Sequence, residues 1–134
     1  MKFLPALILA TALTACGARS SDEERVRELF ASAEEAAEAR DSSDVLALVA
    51  DEYTDAQGLD KTSLGNFLRG WFFAHPRVEL TVVVESLEFP VDGLAQANLT
   101  VGNLTATDVD LERIKVELRR DGEDWRVVRA DRRR

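Results

Sequence analysis

Residues 64–89, LGNFLRGWFFAHPRVELTVVVESLEF, contain the change of hydrophobic period that decides the fold. In the first part of this stretch the large apolar residues recur at helical spacing; they are Leu64, Phe67, Leu68, Trp71 and Phe72. Gly70 weakens this helix, and we expect it to mark a close packing contact. Pro76 disfavours helical backbone at His75, and beyond it apolar and polar residues alternate as in a half-buried strand. The stretch therefore predicts a helix that ends near His75, followed by a β-strand.

Two more helices are predicted before this stretch. Ser21 and Glu24 form a capping-box pattern, and the apolar residues after them keep helical spacing. We therefore expect a long helix over about Asp22–Arg40. A polar break separates it from a shorter helix expected over Asp44–Ala50. Asp60 is in position to cap the third helix.

The chain after residue 90 is predicted to form three more strands. Their apolar positions are Ala95, Ala97, Leu99 and Val101, then Val109, Leu111, Ile114, Val116 and Leu118, then Trp125 and Val127. Breaks in phase near Ser86 and between Leu111 and Ile114 predict bulges that bend the sheet. Val128 and Ala130 are expected on the opposite face of the last strand. The predicted class is α+β, with three N-terminal helices packed on a bent antiparallel four-stranded sheet.

Short sequence signals over about residues 22–131 follow one another in an order that resembles the nuclear transport factor 2-like superfamily, the cystatin-like α+β cones. The signals are Ala39-Arg40-Asp41, Tyr53-Thr54-Asp55, Gly58, Asp121-Gly122 and Trp125-Arg126-Val127. The resemblance implies a curved sheet wrapped around the long helix, with a pocket at the open end of the cone. The superfamily includes ketosteroid isomerase, SnoaL-like polyketide cyclases and many non-enzymatic scaffolds, so the resemblance does not fix a function.

Leu13-Thr14-Ala15-Cys16 closes an apolar N-terminal run that is shorter than the roughly 20 residues of a membrane-spanning helix. The tetrapeptide resembles the lipobox of bacterial lipoproteins, in which a leucine and two small residues precede a cysteine. The resemblance implies a signal peptide over residues 1–15 and a lipid on the thiol of Cys16. Residues 16–21 would then be a short lipidated linker before the domain of residues 22–134, and the membrane would be the partner of Cys16.

The expected location is the bacterial cell envelope. Gly17 stands where an aspartate tends to retain lipoproteins in the inner membrane, so the outer membrane, facing the periplasm, is favoured. The chain has a net charge of −8, and its acidic residues concentrate in residues 21–60. Nucleic acid is not an expected partner, because binding it requires a clustered basic face. A partner protein, or a second copy bound through the sheet, is the remaining expectation.

Tyr53, Asp55 and His75 are the candidate catalytic residues, and each also has a structural interpretation. A buried tyrosine hydroxyl commonly makes a structural hydrogen bond. Asp55 could be a general base or could accept hydrogen bonds from the turn that follows it. His75, the only histidine, lies at a helix end, where a protonated imidazole favours the helix dipole. The structural interpretation is favoured for all three.

Phe30, Tyr53, Phe67 and Trp71 are the predicted lining of the pocket that the resemblance implies. No metal is expected, because the acidic loop that begins at Asp51 lacks the glycine and glutamate of a calcium loop. No cofactor is expected either.

Two functions are compatible with these observations. The favoured hypothesis is a membrane-anchored envelope lipoprotein whose cone is a non-catalytic binding or interaction module. The alternative is a small-molecule isomerase, dehydratase or hydrolase that uses an acid/base residue in an apolar pocket. A pocket filled by the aromatic side chains would count against the alternative.

Overall fold

The computed structural model describes the backbone of residues 15–104 and 108–133, with side chains from residue 21 onward. The helices and strands are α1 (Ala15–Glu38), α2 (Ser42–Leu46), α3 (Lys61–Ala74), β1 (Glu79–Glu88), β2 (Leu94–Leu104), β3 (Val109–Asp121) and β4 (Asp124–Arg132). The strands form one antiparallel sheet in the order β1-β2-β3-β4. The predicted α+β class, with three helices before a four-stranded antiparallel sheet, is confirmed.

Helix α1 begins at Ala15, whereas the sequence predicted a start near Asp22. Ser21 therefore lies inside the helix. The preference of serine for the N-cap position is worth only about 1 kcal/mol. That is too little to start the helix at this residue when no proline interrupts the residues directly before it. Residues 16–21, expected as a linker, are helical. Leu13 and Thr14, like the side chain of Cys16, lie outside the described part of the chain. No helix in the described ranges has both the length and the hydropathy needed to cross a bilayer.

Helix α1 ends in a Schellman motif. The N–H of Asp41 donates to the carbonyl of Ala36, and the N–H of Arg40 donates to that of Ala37, both at 3.0 Å. Arg40 has a φ of 56°, in the left-handed region that favours glycine. The Asp41 side chain then caps α2 by accepting a hydrogen bond from the N–H of Asp44 at 3.0 Å. The motif places α2 beside α1.

Helix α2 ends at Leu46, so the helix predicted over Asp44–Ala50 is too long. The backbone beyond Leu46 pairs with β4 instead. The N–H of Ala50 donates to the carbonyl of Val127, and the N–H of Val127 donates to the carbonyl of Leu48, both at 2.9 Å. These bonds satisfy backbone groups that a longer helix would otherwise satisfy.

The sheet contains one of the two predicted bulges. The pairing of β1 with β2 shifts between Val84 and Ser86, so the bulge predicted near Ser86 is confirmed. The bulge predicted between Leu111 and Ile114 is wrong, because β2 and β3 pair without interruption. Leu111 is 70% exposed, so it lies on the outer face of the sheet. The strand itself continues regularly, and only the face that carries the apolar residues changes.

A bulge in β4 was not predicted. The pairing of β3 with β4 shifts between Glu117 and Leu118, which makes Val128 the extra residue of β4. Because of this extra residue, Ala130 lies on the same face of the sheet as Val127, and both pack against the core. The expectation that Ala130 lies on the opposite face is therefore wrong.

Helix α1 lies across the concave face of the sheet and closes the narrow end of the cone. The buried residues of this core are Val26, Leu29, Phe30, Ala95, Ala97, Leu99, Val116, Leu118 and Trp125. Beside them, Asp22 accepts hydrogen bonds from the Arg120 guanidinium at 2.9 Å and from the Trp125 indole at 3.4 Å. Apolar packing and a partly buried ion pair thus join the N-terminal half of α1 to the β3–β4 hairpin.

Helix α3 is fixed mainly at its ends and against α2. The N–H of Ser63 donates to Oδ1 of Asp60, and the N–H of Asp60 donates to Oγ of Ser63, both at 2.8 Å, so the predicted cap is confirmed. Gly65, rather than Gly70, makes the close contact. A Cβ at Gly65 would lie 2.8 Å from Cδ1 of Leu46, whereas one at Gly70 would meet nothing within 4 Å. Among the described elements only α2 approaches the backbone of α3 closely, so a gap separates α3 from the sheet.

Candidate ligand-binding cavity

An apolar cavity of about 550 Å³ occupies the gap between α3 and the concave face of the sheet. The C-terminal half of α1 supplies one wall, through Leu29, Phe30, Ala33, Glu34 and Ala37. The α3 wall consists of Leu64, Phe67, Leu68, Trp71, Phe72 and the neighbouring His75. Pockets for small molecules commonly measure about 300–1,000 Å³. The cone therefore retains an apolar space that a small molecule can fill.

Phe30, Tyr53, Phe67 and Trp71, the residues predicted to line a pocket, all lie in the cavity wall. Phe30 and Tyr53 are buried, whereas Phe67 is 51% exposed. The Trp71 ring packs edge-on against that of Phe72, with 5.7 Å between the ring centroids. The aromatic side chains therefore form walls around the space and do not fill it.

The hydroxyl of Tyr53 donates a hydrogen bond to Oδ2 of Asp55 at 2.8 Å. Oδ1 of Asp55 accepts hydrogen bonds from the backbone N–H groups of Gln57 and Leu59, both at 3.0 Å. Burial raises the pKa of Tyr53 above its ordinary value, and the hydrogen bond to the negatively charged Asp55 raises that pKa further. Tyr53 therefore stays protonated at neutral pH. Asp55 organises the turn, and it lies outside the residues that line the cavity.

His75 occupies the C-cap position of α3 and lines the cavity. Its Nδ1 lies 2.8 Å from the carbonyl oxygen of Trp71, and its ring stacks on the Trp71 ring with 4.1 Å between centroids. Because a carbonyl oxygen only accepts, Nδ1 carries a hydrogen, and Nε2 is the nitrogen left for other contacts. The imidazole thus satisfies a backbone carbonyl in the last turn of α3.

The charged residues that the sheet contributes to the cavity wall lie at the open end of the sheet. Asn103 pairs with Asp110 across the β2–β3 ladder, and Glu112 follows on the same face. Arg132 of β4 lies beside them, with its Nη2 3.3 Å from Oε1 of Glu112. Glu34 of α1 lines the cavity from the opposite wall. In the described ranges, no group of three or more His, Cys, Asp or Glu side chains has an arrangement that could hold a metal ion.

Sequence reasoning missed Asp110 and Glu112 because it placed Val109 and Leu111 inside the cone. In the observed register, Val109 is 55% exposed and Leu111 is 70% exposed, and their polar neighbours face the cavity. Counting back from Ile114 in steps of two along an unbroken strand identifies both carboxylates. The period-two spacing from Ile114 therefore predicts that Asp110 and Glu112 face the cavity. The expectation that Val109 and Leu111 are buried predicts the opposite, and it is wrong.

No family model matches the sequence, and no curated protein matches it. Solved structures do match. A cystatin-like domain of unknown function from Nostoc punctiforme has a TM-score of 0.74 at 13% identity, over 86% of this chain and 78% of that one. A nuclear transport factor 2-like protein of unknown function from Pseudomonas putida has a TM-score of 0.66 at 20% identity, over 83% and 84%.

The Bdellovibrio bacteriovorus protein Bd1075 also matches, with a TM-score of 0.74 at 8% identity. The match covers 87% of this chain but only 41% of Bd1075. Similarity at these identities shows the fold alone. The chain has the nuclear transport factor 2-like, cystatin-like α+β fold, as its sequence signals predicted.

Proposed function

We propose that this chain is a lipid-anchored protein of the bacterial cell envelope whose cone binds a small apolar molecule without transforming it. The observation that carries the proposal is the cavity of about 550 Å³, whose wall is mainly aliphatic and aromatic. Transfer of apolar surface from water into such a space contributes about 25 cal/mol per Å². The aromatic walls add specific ring contacts.

Binding is favoured over catalysis because Tyr53 and Asp55, two of the three acid/base candidates identified from the sequence, are hydrogen-bonded to each other. Both carboxylate oxygens of Asp55 accept hydrogen bonds, and the Tyr53 hydroxyl donates its hydrogen to Asp55. A general base needs an oxygen or nitrogen within reach of the substrate proton. Two observations favour the alternative, a small-molecule isomerase, dehydratase or hydrolase. His75 lines the cavity and engages only Nδ1 among the described residues. Glu34 and Asp110 lie in the cavity wall and form no ion pair with any described residue.

The anchor is supported by the lipobox-like sequence that ends at Cys16. Because the backbone is helical from Ala15, a lipid on Cys16 would attach to the first turn of α1. Glu34, at the open end of the cavity, lies about 27 Å further along the same helix at 1.5 Å per residue. We therefore propose that the narrow end of the cone is nearer the membrane and that the cavity opens away from it.

The binding function is tested by titrating N-phenyl-1-naphthylamine, a neutral apolar fluorophore, into the chain carrying Cys16→Ser. Removal of the lipid acceptor keeps the protein out of micelles that would take up the probe. Ala33→Trp places an indole in the cavity wall, and Ala31→Trp places the same group on the exposed face of α1. We expect the substitution at Ala33 to weaken probe binding about tenfold and that at Ala31 to leave it unchanged.

Circular dichroism spectra of the two variants provide the control for folding. Equal probe affinity in folded Ala33→Trp and Ala31→Trp chains would contradict binding in the cavity. The enzymatic alternative predicts instead that His75→Gln abolishes turnover of a bound substrate without weakening its binding.

A further inference from the structure

We infer that the molecule bound in the cavity is an amphiphile with a positively charged head group, an amine or a quaternary ammonium, at the cavity mouth. The inference rests on the proposed binding function and adds the chemical class of the ligand. It follows from three properties of the wall: the separation of its polar and apolar parts, the balance of charge at its open end, and the aromatic surface on its α3 side.

The polar and apolar parts of the wall are separated along the cone. Toward the narrow end the wall consists of residues such as Leu29, Phe30, Leu99 and Val116. The one hydroxyl of this region, on Tyr53, already donates to Asp55. A ligand buried there gains apolar contacts, and the Tyr53 hydroxyl can only accept a further hydrogen bond. A ligand group that can only accept would lose its hydration there without compensation. The ligand must therefore be apolar at its inner end.

The open end carries an excess of negative charge. Its carboxylates are Glu34, Asp110 and Glu112, and its guanidinium belongs to Arg132. Glu112 already pairs with Arg132, with 3.3 Å between Oε1 and Nη2. Glu34 and Asp110 form no ion pair with any described residue. An anionic head group would meet two uncompensated carboxylates, whereas a cationic one would neutralise them.

Aromatic surface in the wall of the same cavity favours the same charge. Trp71 and Phe67 lie in the α3 wall, and Phe67 is 51% exposed. A cation is attracted to the face of an aromatic ring, and quaternary ammonium ligands are commonly recognised by such rings. The apolar inner wall, the net negative charge of the open end and the aromatic rings of the α3 wall together favour a cationic amphiphile over a fatty acid.

The test compares three competitors with the same dodecyl chain and different head groups: dodecyltrimethylammonium, dodecanol and dodecanoate. Each displaces N-phenyl-1-naphthylamine from the Cys16→Ser chain at concentrations below micelle formation. We expect the ammonium compound to displace the probe at about tenfold lower concentration than dodecanol, and dodecanoate to be weaker than dodecanol. This preference should decrease as salt is added, because exposed charges are screened.

The double variant Glu34→Gln, Asp110→Asn should reduce the ammonium preference to about that of the alcohol while leaving dodecanol competition unchanged. Glu35→Gln, on the exposed side of α1, is the matched control and should keep the preference. Equal competition by all three compounds, or stronger competition by dodecanoate, would overturn the cationic assignment but leave apolar binding intact. Failure of the probe and of every competitor to bind would overturn the proposed function and the assignment together.

Discussion

The guanidinium of Arg40 donates two hydrogen bonds to the carbonyl oxygen of Phe72, at 3.1 Å from Nε and 2.7 Å from Nη2. The contact joins the left-handed residue that ends α1 to the last turn of α3. Because α3 approaches closely only α2 among the described elements, this contact is a second attachment of the helix that forms one cavity wall. Arg40 therefore helps to hold the cavity open at a fixed width.

The variants Arg40→Ala and Arg40→Gly distinguish the effect of losing the hydrogen bonds to Phe72 from the effect of backbone strain at residue 40. Both variants lose the hydrogen bonds to Phe72. We therefore expect the amide hydrogens of the last turn of α3 to exchange faster in each variant than in the original chain. Alanine is strained at a φ of 56°, whereas glycine is not, so Arg40→Gly should be more stable than Arg40→Ala by about 1 kcal/mol. Urea unfolding measures the difference, and equal stability of the two would contradict the strain.

Gly65 and Gly70 provide a matched test of the α2–α3 packing. Gly70→Ala meets open space, so we expect it to stabilise the chain by about 1 kcal/mol through helix propensity. Gly65→Ala gains the same propensity but places its Cβ 2.8 Å from Cδ1 of Leu46, which must then move. In urea unfolding Gly65→Ala should therefore be about 1 kcal/mol less stable than Gly70→Ala. An equal gain at both positions would show that α2 and α3 are not in close contact.

Tyr53 is the only tyrosine, so the phenolate absorbance of the chain reports on it alone. Its folded pKa lies above the unfolded value of 10.0, because burial and the hydrogen bond to Asp55 favour the neutral hydroxyl. The stabilisation from this shift is complete below about pH 10 and is lost as the pH rises above that value, since only the unfolded chain then releases the proton. We expect phenolate to form at higher pH in the folded chain than in urea. Formation at the same pH in both would contradict a buried, hydrogen-bonded hydroxyl.

The outer face of the sheet is the surface proposed to pair with a second copy of the chain. Its large exposed apolar residues are Val83, Leu94, Leu104, Val109 and Leu111. We expect Leu111→Lys to lower the dimer fraction in sedimentation velocity, because a charge would then be buried in the interface. Phe73→Lys is the control, since Phe73 is 89% exposed on α3 and lies outside this face. A chain that sediments as a monomer before any substitution would exclude the pairing.

Much of the fold could be predicted because local chemistry and tertiary structure agree. Asp60 caps α3 through its own side chain, and Pro76 follows directly on the end of that helix, so both signals are local. The start of α1 and the end of α2 could not be predicted in the same way. The backbone of Leu48 and Ala50 forms hydrogen bonds with Val127, which is distant in sequence, in place of helical hydrogen bonds.

The cavity could be predicted only in part for a related reason. Phe30, Phe67 and Trp71 lie on amphipathic helices, where period alone identifies the inward face. Asp110 and Glu112 face the cavity because the strand register places them there, against the hydrophobic preference of their neighbours. The register of a strand depends on pairing along the whole ladder. It therefore cannot be inferred from the apolar pattern at one end of the strand.

The location of the bound apolar molecule is the most direct test of the account. Trp71 lines the cavity, whereas Trp125 is buried at the narrow end and packs against Phe89. In Cys16→Ser chains that carry either Trp125→Phe or Trp71→Phe, the remaining indole can be quenched by a dodecanol brominated on its chain. We expect strong, saturable quenching when Trp71 remains and weak quenching when Trp125 remains. Equal quenching of the two, or none in either chain, would contradict the proposal that the cavity is a binding site.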